Sequence, residues 1–240
     1  VVTDSIMLEV AGQTFDIEIG IADVFVIDDD EGSDYEELFS SAFGEADITS
    51  RVWSVDTEGL PTIGTINQFS GSVLAWYTGD GVNTLDAAEQ TLIADYLTND
   101  GRLLLTGQNI IEQIDGSALA TQLGVSFSNN IGFPIVAGVT GEFTEGLTFS
   151  TLGGDGAGNQ TSRDVLTIAN TATTRPVLLY GTNPNNVSGA AYESGNSRAI
   201  VLGFGFEGVN SADSRRDVGD AIVGFLKDGA TSIDPIQVGS

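Results

Sequence analysis

The chain has 240 residues, 34 of them acidic and 8 basic, for a formal net charge of -26, and it contains neither cysteine nor histidine. That charge repels nucleic-acid phosphates and anionic membrane surfaces, and no apolar stretch approaches the ~18 residues a membrane span needs, so nucleic acid and membrane insertion are excluded as partners. The missing thiols and imidazoles exclude disulfides, thiolate nucleophiles, imidazole bases and the usual zinc ligands, leaving carboxylates, hydroxyls or a bound hard metal for any chemistry.

Residues 1–20 alternate, with Ile6, Leu8 and Val10 followed by a turn at Ala11-Gly12-Gln13 and then Phe15, Ile17 and Ile19. This predicts a β-hairpin with one apolar face, and such a hairpin needs cover. Residues 1–20 are therefore expected to pack on a neighbouring domain or a second copy. From Ala22 short apolar runs alternate with amphipathic stretches, the pattern of a doubly wound, mainly parallel sheet with helices on both faces. The expected fold is α/β and flavodoxin-like over 21–229, with the hairpin before it, an irregular β insertion within it, and a linker over 230–240.

The predicted strands are Val24–Ile27, Arg51–Val55, Ser72–Tyr77, Arg102–Thr106, Val177–Tyr180 and Ala199–Phe204. Ser33 and Glu36 stand at capping-box spacing before a helix that buries Leu38, Phe39, Ala42 and Phe43. A second helix is expected from Thr84 to Gly101, a short pair over Ile110–Ile114 and Ala118–Leu123, and a last one burying Val218, Ile222, Phe225 and Leu226 before Gly229. Between Ser126 and Thr174 the chain turns rich in Gly, Thr and Asn, so irregular β structure is expected there.

Asp28, Asp29 and Asp30 follow the first parallel strand and Asp80 the third. Ligands of open parallel sheets gather outside the carboxyl ends of strands, so these four acids are the candidate oxygen ligands of a Ca²⁺ or Mg²⁺ site, the alternative being that they cap helices and face solvent. Asp28-x-Asp30 also resembles the acidic pair of haloacid-dehalogenase-like phosphatases, although Glu31 and Gly32 replace that family's continuation. Asn159-Gln160-Thr161 and Asn186-Val187-Ser188 match the N-glycosylation pattern, and Gly153-Gly154-Asp155-Gly156 reads as a flexible loop.

Longer stretches carry a second resemblance: Val24-Phe-Val-Ile-Asp-Asp-Asp30, Leu74-Ala-Trp-Tyr-Thr-Gly-Asp80, Gly101-Arg-Leu-Leu-Leu-Thr-Gly-Gln108 and Ile200-Val-Leu-Gly-Phe-Gly-Phe-Glu207. They are similar to the class I glutamine amidotransferase-like domain of secreted, multidomain bacterial surface proteins. The resemblance implies a nucleophile elbow at Thr106-Gly107-Gln108 and places Gly205 where catalytic relatives carry histidine. Thr106, Gln108 and Glu207 are then expected to line a polar crevice that has lost nucleophile and base. A non-enzymatic structural or interaction module of an exported, extracellular or cell-surface protein is expected, one able to build filaments or a surface layer. A single lysine, Lys227, in so acidic a chain fits that setting, and the start without Met or leader reads as a piece of a longer exported protein. The alternative is a metal-dependent hydrolase using the Asp28–Asp30 cluster.

Overall fold

The computed structural model describes residues 4–10, 13–19, 21–69, 71–81 and 85–228. β1 (Asp4–Val10) and β2 (Gln13–Ile19) pair antiparallel as a separate two-stranded sheet, with Asp4 opposite Ile19 and Val10 opposite Gln13. The apolar face read for this hairpin, the helix start at Thr84, the glycine stop at Gly229 and the linker 230–240 lie outside the described residues.

The rest of the described chain surrounds one eleven-stranded sheet. Its centre is parallel: β4 (Ser50–Ser54), β3 (Val24–Asp28), β5 (Val73–Tyr77), β6 (Arg102–Thr106) and β13 (Ser197–Leu202) lie side by side in that order. β12 (Val187–Ser194), β11 (Thr174–Tyr180), β8 (Ile135–Gly138) and β9 (Thr148–Ser150) extend it antiparallel, and β10 (Arg163–Ile168) joins β12 to β7 (Val125–Ile131). The fold is thus α/β with a mainly parallel central sheet, as expected. The 126–174 region is more regular than its composition suggests, because its strands find partners at the sheet's far edge. Val177–Tyr180, expected among the parallel strands, runs antiparallel between β12 and β8.

The pleat divides the core. Val24, Val26, Val73, Ala75, Tyr77 and Leu104 face one layer, made by α1 (Glu36–Glu45) and α7 (Ala212–Asp228). Their neighbours Phe25, Ile27, Leu74, Trp76, Leu103 and Leu105 face the other, made by α3 (Ile63–Asn67), α4 (Ala87–Thr98), α5 (Ile110–Ile114) and α6 (Ala118–Leu123). Side chains of a strand alternate between faces, so a run of five buried residues serves both layers at once. A four-residue α2 (Val55–Glu58) follows β4.

One helix start differs from expectation, and a second is closed by its own cap. The capping box at Ser33 does not form: α1 begins after Tyr35, which makes no side-chain cap, and the Ser33 amide instead donates to Asp30 Oδ1 at 2.8 Å. α4 begins at Ala87, where Asp86 and Glu89 close a reciprocal capping box. The Asp86 carboxylate takes the amides of Ala88 and Glu89, stronger satisfaction of free helix N–H groups than an upstream threonine offers.

Candidate functional site

In a doubly wound sheet the ligand crevice opens where successive connections leave in opposite directions. From β3 the chain moves outward to β4 and then crosses back to β5, so the crevice lies over the ends of β3 and β5, beside those of β6 and β13. Asp28–Asp30, Thr78–Asp80, Thr106–Asn109 and Phe204–Glu207 all reach it.

The structure divides the predicted metal quartet. Asp28 and Asp30 point to the α1 side and sit close enough to interact, with the Tyr77 hydroxyl against Asp28. Burial, then the Asp28 carboxylate, pushes Asp30 up to about 7. Asp29 goes the other way: the pleat turns it to the opposite face, where it accepts a 2.9 Å bond from Trp76 Nε1, and burial raises it to about 7 as well. Asp80 accepts from the Tyr35 hydroxyl at 3.3 Å. Among the described residues no group of three or more acids is placed to hold a metal ion. Asp29 therefore does not share a site with Asp28, Asp30 and Asp80, since the reading of three consecutive acids as one cluster ignored the alternation of the strand that delivers them.

Thr106, Gln108 and Glu207, by contrast, come together, and all three are buried. The Thr106 hydroxyl ties β6 to β13's end, donating to Phe204 O and accepting from the Phe206 amide, both at 2.8 Å. Gln108 turns inward, its Oε1 accepting from the amides of Thr161 at 2.9 Å and Ser162 at 3.0 Å. Glu207 is sealed from solvent; its Oε1 accepts from Asn159 Nδ2 at 2.9 Å and Gln160 Nε2 at 3.0 Å, while the Gly205 amide donates to Gln160 Oε1 at 2.7 Å. Burial drives Glu207 up to about 7. Its Oε2 and the Thr78 hydroxyl are buried without a hydrogen-bond partner.

The crevice is filled by the chain itself. A segment running from Thr151 to Ser162 crosses the turn that follows β13, held by Arg163 on Thr151, Arg215 on Asp155 and the Ala157 amide on Glu207 O. Its last four residues occupy the polar space. A Cβ on Gly205 would fall 1.9 Å from Glu207 Oε1 and 2.5 Å from Gln160 Nε2, and one on Gly107 would fall 2.1 Å from Thr78 Oγ1. No larger side chain fits at either place in this arrangement.

Sequence reasoning missed Asn159 and Gln160 as parts of the site, because the first was read only as a glycosylation match. Asn159 is buried against Glu207, which is incompatible with glycosylation of the folded chain. It also placed the elbow one residue early. The left-handed residue between β6 and α5 is Asn109, at φ 64° and ψ 1°, while Gln108 is part of the interior. Asparagine is among the few residues that tolerate this conformation, and that preference was the available signal.

No family model matches the sequence, and no curated protein does. Solved structures share the fold. The chain is similar to the mmIFT52 N-terminal domain with a TM-score of 0.58 at 15% identity, covering 86% of this chain and 98% of that one. It is similar to a GMP synthase-type protein from Thermoplasma acidophilum with a TM-score of 0.55 at 13% identity, over 85% of this chain and 94% of that one. The exo-β-1,4-mannosidase Op5Man5 from Opitutaceae bacterium strain TAV5 gives a TM-score of 0.55 at 10% identity, over 85% of this chain and 35% of the mannosidase. At such identities the likenesses show the fold alone, a flavodoxin-like α/β fold.

Proposed function

We propose that this chain is a non-enzymatic interaction module of an exported, extracellular or cell-surface bacterial protein, built on an amidotransferase-type frame. The observation that carries this reading is the filled crevice: Gln160 and Glu207 occupy the space beside Gly205, and Thr78 the space beside Gly107. Acyl transfer from a carboxamide needs a nucleophile and a base in reach of substrate, and the chain has no thiol or imidazole for these parts while its own side chains take up the room. A fold does not dictate chemistry, and this one recurs in about a third of the mannosidase chain, in a GMP synthase-type protein and in the mmIFT52 N-terminal domain. The acid-rich composition with one lysine supports a life in salt-screened surroundings outside the cell.

The test is direct. Purified protein is expected to release no ammonia from glutamine, and Ca²⁺ or Mg²⁺ is expected neither to raise its melting temperature nor to elicit hydrolysis of a phosphomonoester. Ammonia release that persists through repurification would refute the module reading. Metal-dependent stabilisation joined to turnover that Asp30→Asn abolishes would establish the rival hydrolase, since an ion bound only by the native state must stabilise it.

A further inference from the structure

The acidic residues are unevenly spread. No charged residue occurs in 125–139, 146–154 or 176–192, although the chain carries 34 acids. The first two stretches are six residues apart and the third begins about twenty residues later, and the sheet gathers all three at one end, in β7, β8, β9, β11 and β12.

On this end the chain also exposes apolar side chains. Phe133 is 48% exposed, Ile135 37% and Leu152 54%, three of the six large apolar residues so exposed among the described residues. They are neighbours: Ile135 pairs with Ser150, the Thr151 amide donates to Pro134 O, and continuing that register sets Phe133 opposite Leu152. Val136, the next residue along β8, is fully buried in the α1/α7 layer, so Ile135 stands on the opposite face of the sheet. Around them lie Asn129, Asn130, Thr182, Asn183 and Asn185, exposed and uncharged, with the Glu112 carboxylate, which accepts from Asn130 Nδ2 at 3.0 Å, marking where the neutral surface ends. The outer edge of β9 is not free for strand addition, because Asn210 bonds both the amide and the carbonyl of Ser150. What is open is the face.

A contiguous apolar patch rimmed by neutral polar groups marks a contact surface. Charge selects the partner. A basic partner would gain from the acidic surface and has no use for the neutral face, whereas a partner carrying the same charge must meet the molecule where like charges are absent. We propose that this uncharged face, centred on Phe133, Ile135 and Leu152, is where two copies of this chain associate. The contact sets one patch against the same patch of its partner, an isologous arrangement. This inference deepens the module reading and rests on it, but its failure would leave the glutamine result untouched.

Repulsion between two bodies of charge -26 is long-ranged, whereas burial of the patch is not, so association should tighten with salt. Sedimentation of the whole chain is expected to show the monomer–dimer constant tightening about tenfold or more between ~0.05 M and ~1 M NaCl. Leu152→Glu and Phe133→Glu, both at exposed positions, should remain monomeric throughout while melting as the parent does. Leu60→Glu, beside the opposite edge of the sheet, should associate like the parent. Monomer at every salt concentration would overturn the proposal, as would association that both patch substitutions leave intact.

Discussion

Replacing Gly205 by alanine is expected to destabilise the protein by about 3 kcal/mol, the upper range for forcing a group into a packed interior. Its φ of -75° suits any residue, so the cost is steric and not conformational. The added methyl would overlap Glu207 Oε1 and Gln160 Nε2 and break the bond from the Gly205 amide to Gln160. For a chain of this size that is roughly 10 °C in melting temperature. Glu207→Ala removes one of the overlapping groups, so the double variant should cost less than the sum of the single ones. Gly224→Ala in α7 is the contrast, because nothing lies within 4 Å of its added Cβ and alanine is the better helix former by about 0.5–1 kcal/mol. Thermal denaturation of the parent and the four variants settles the matter. A Gly205→Ala variant as stable as the parent would mean that the crevice is not filled as described.

Acidification from pH 8 to pH 5 is expected to stabilise the protein, the reverse of ordinary acid denaturation. Asp29, Asp30 and Glu207 are pushed up to about 7 and Asp164 to about 6, in each case mainly by burial. In the unfolded chain these carboxyls titrate near 4. Between those limits the native state binds more protons than the unfolded state, so stability falls as pH rises, and above about 7 the loss is complete. One pH unit of that window at Asp30 and Glu207 together corresponds to about 3 kcal/mol. Asp23 works in the other sense, held down to about 2, with Lys227 and Thr49 bonds outweighing its burial, and its contribution is lost only below the window considered. Relief of the net negative charge acts in the same direction as the buried acids, but salt screens it, so the slope that survives in ~1 M NaCl belongs to the buried groups. Glu207→Gln should melt higher than the parent at pH 8 and show a flatter pH dependence. A melting temperature that falls between pH 8 and pH 5, or a slope indifferent to both Glu207→Gln and Asp30→Asn, would contradict this.

The central strands were legible because burial on both faces writes continuous apolar runs such as Val24–Ile27 and Leu103–Leu105, and α7 because Val218, Ile222, Phe225 and Leu226 repeat at helical spacing. The long-range pairings were not legible. Nothing local in Val125–Ile131 says that it will pair with β10, and strand partners distant in sequence are chosen by packing. Thr106, Gln108 and Glu207 were found through resemblance of whole stretches, which fixes position relative to the frame. Gln160 was not, because the irregular segment that carries it has no periodicity, and its role exists only once Arg163, Arg215 and the turn after β13 hold it in place. Asp29 was misplaced for a simpler reason: residue number was read without the pleat, which sends it to Trp76 while Asp28 and Asp30 stay together.

The central claim is that the crevice is occupied by the chain's own Gln160. Its side-chain amide bonds Glu207 at 3.0 Å and Asn159 Oδ1 at 2.9 Å inside a sealed space, and hydrogen exchange of that amide reports on it alone. Followed by nuclear magnetic resonance, the Gln160 Nε2 protons are expected to exchange at least about a hundredfold more slowly than those of an exposed glutamine, as a native-state opening of a few kcal/mol requires. They should lose that protection in Glu207→Ala. Exchange at the rate of a free carboxamide in the parent protein would show the crevice open, and the account of a self-filled, non-catalytic site would fail.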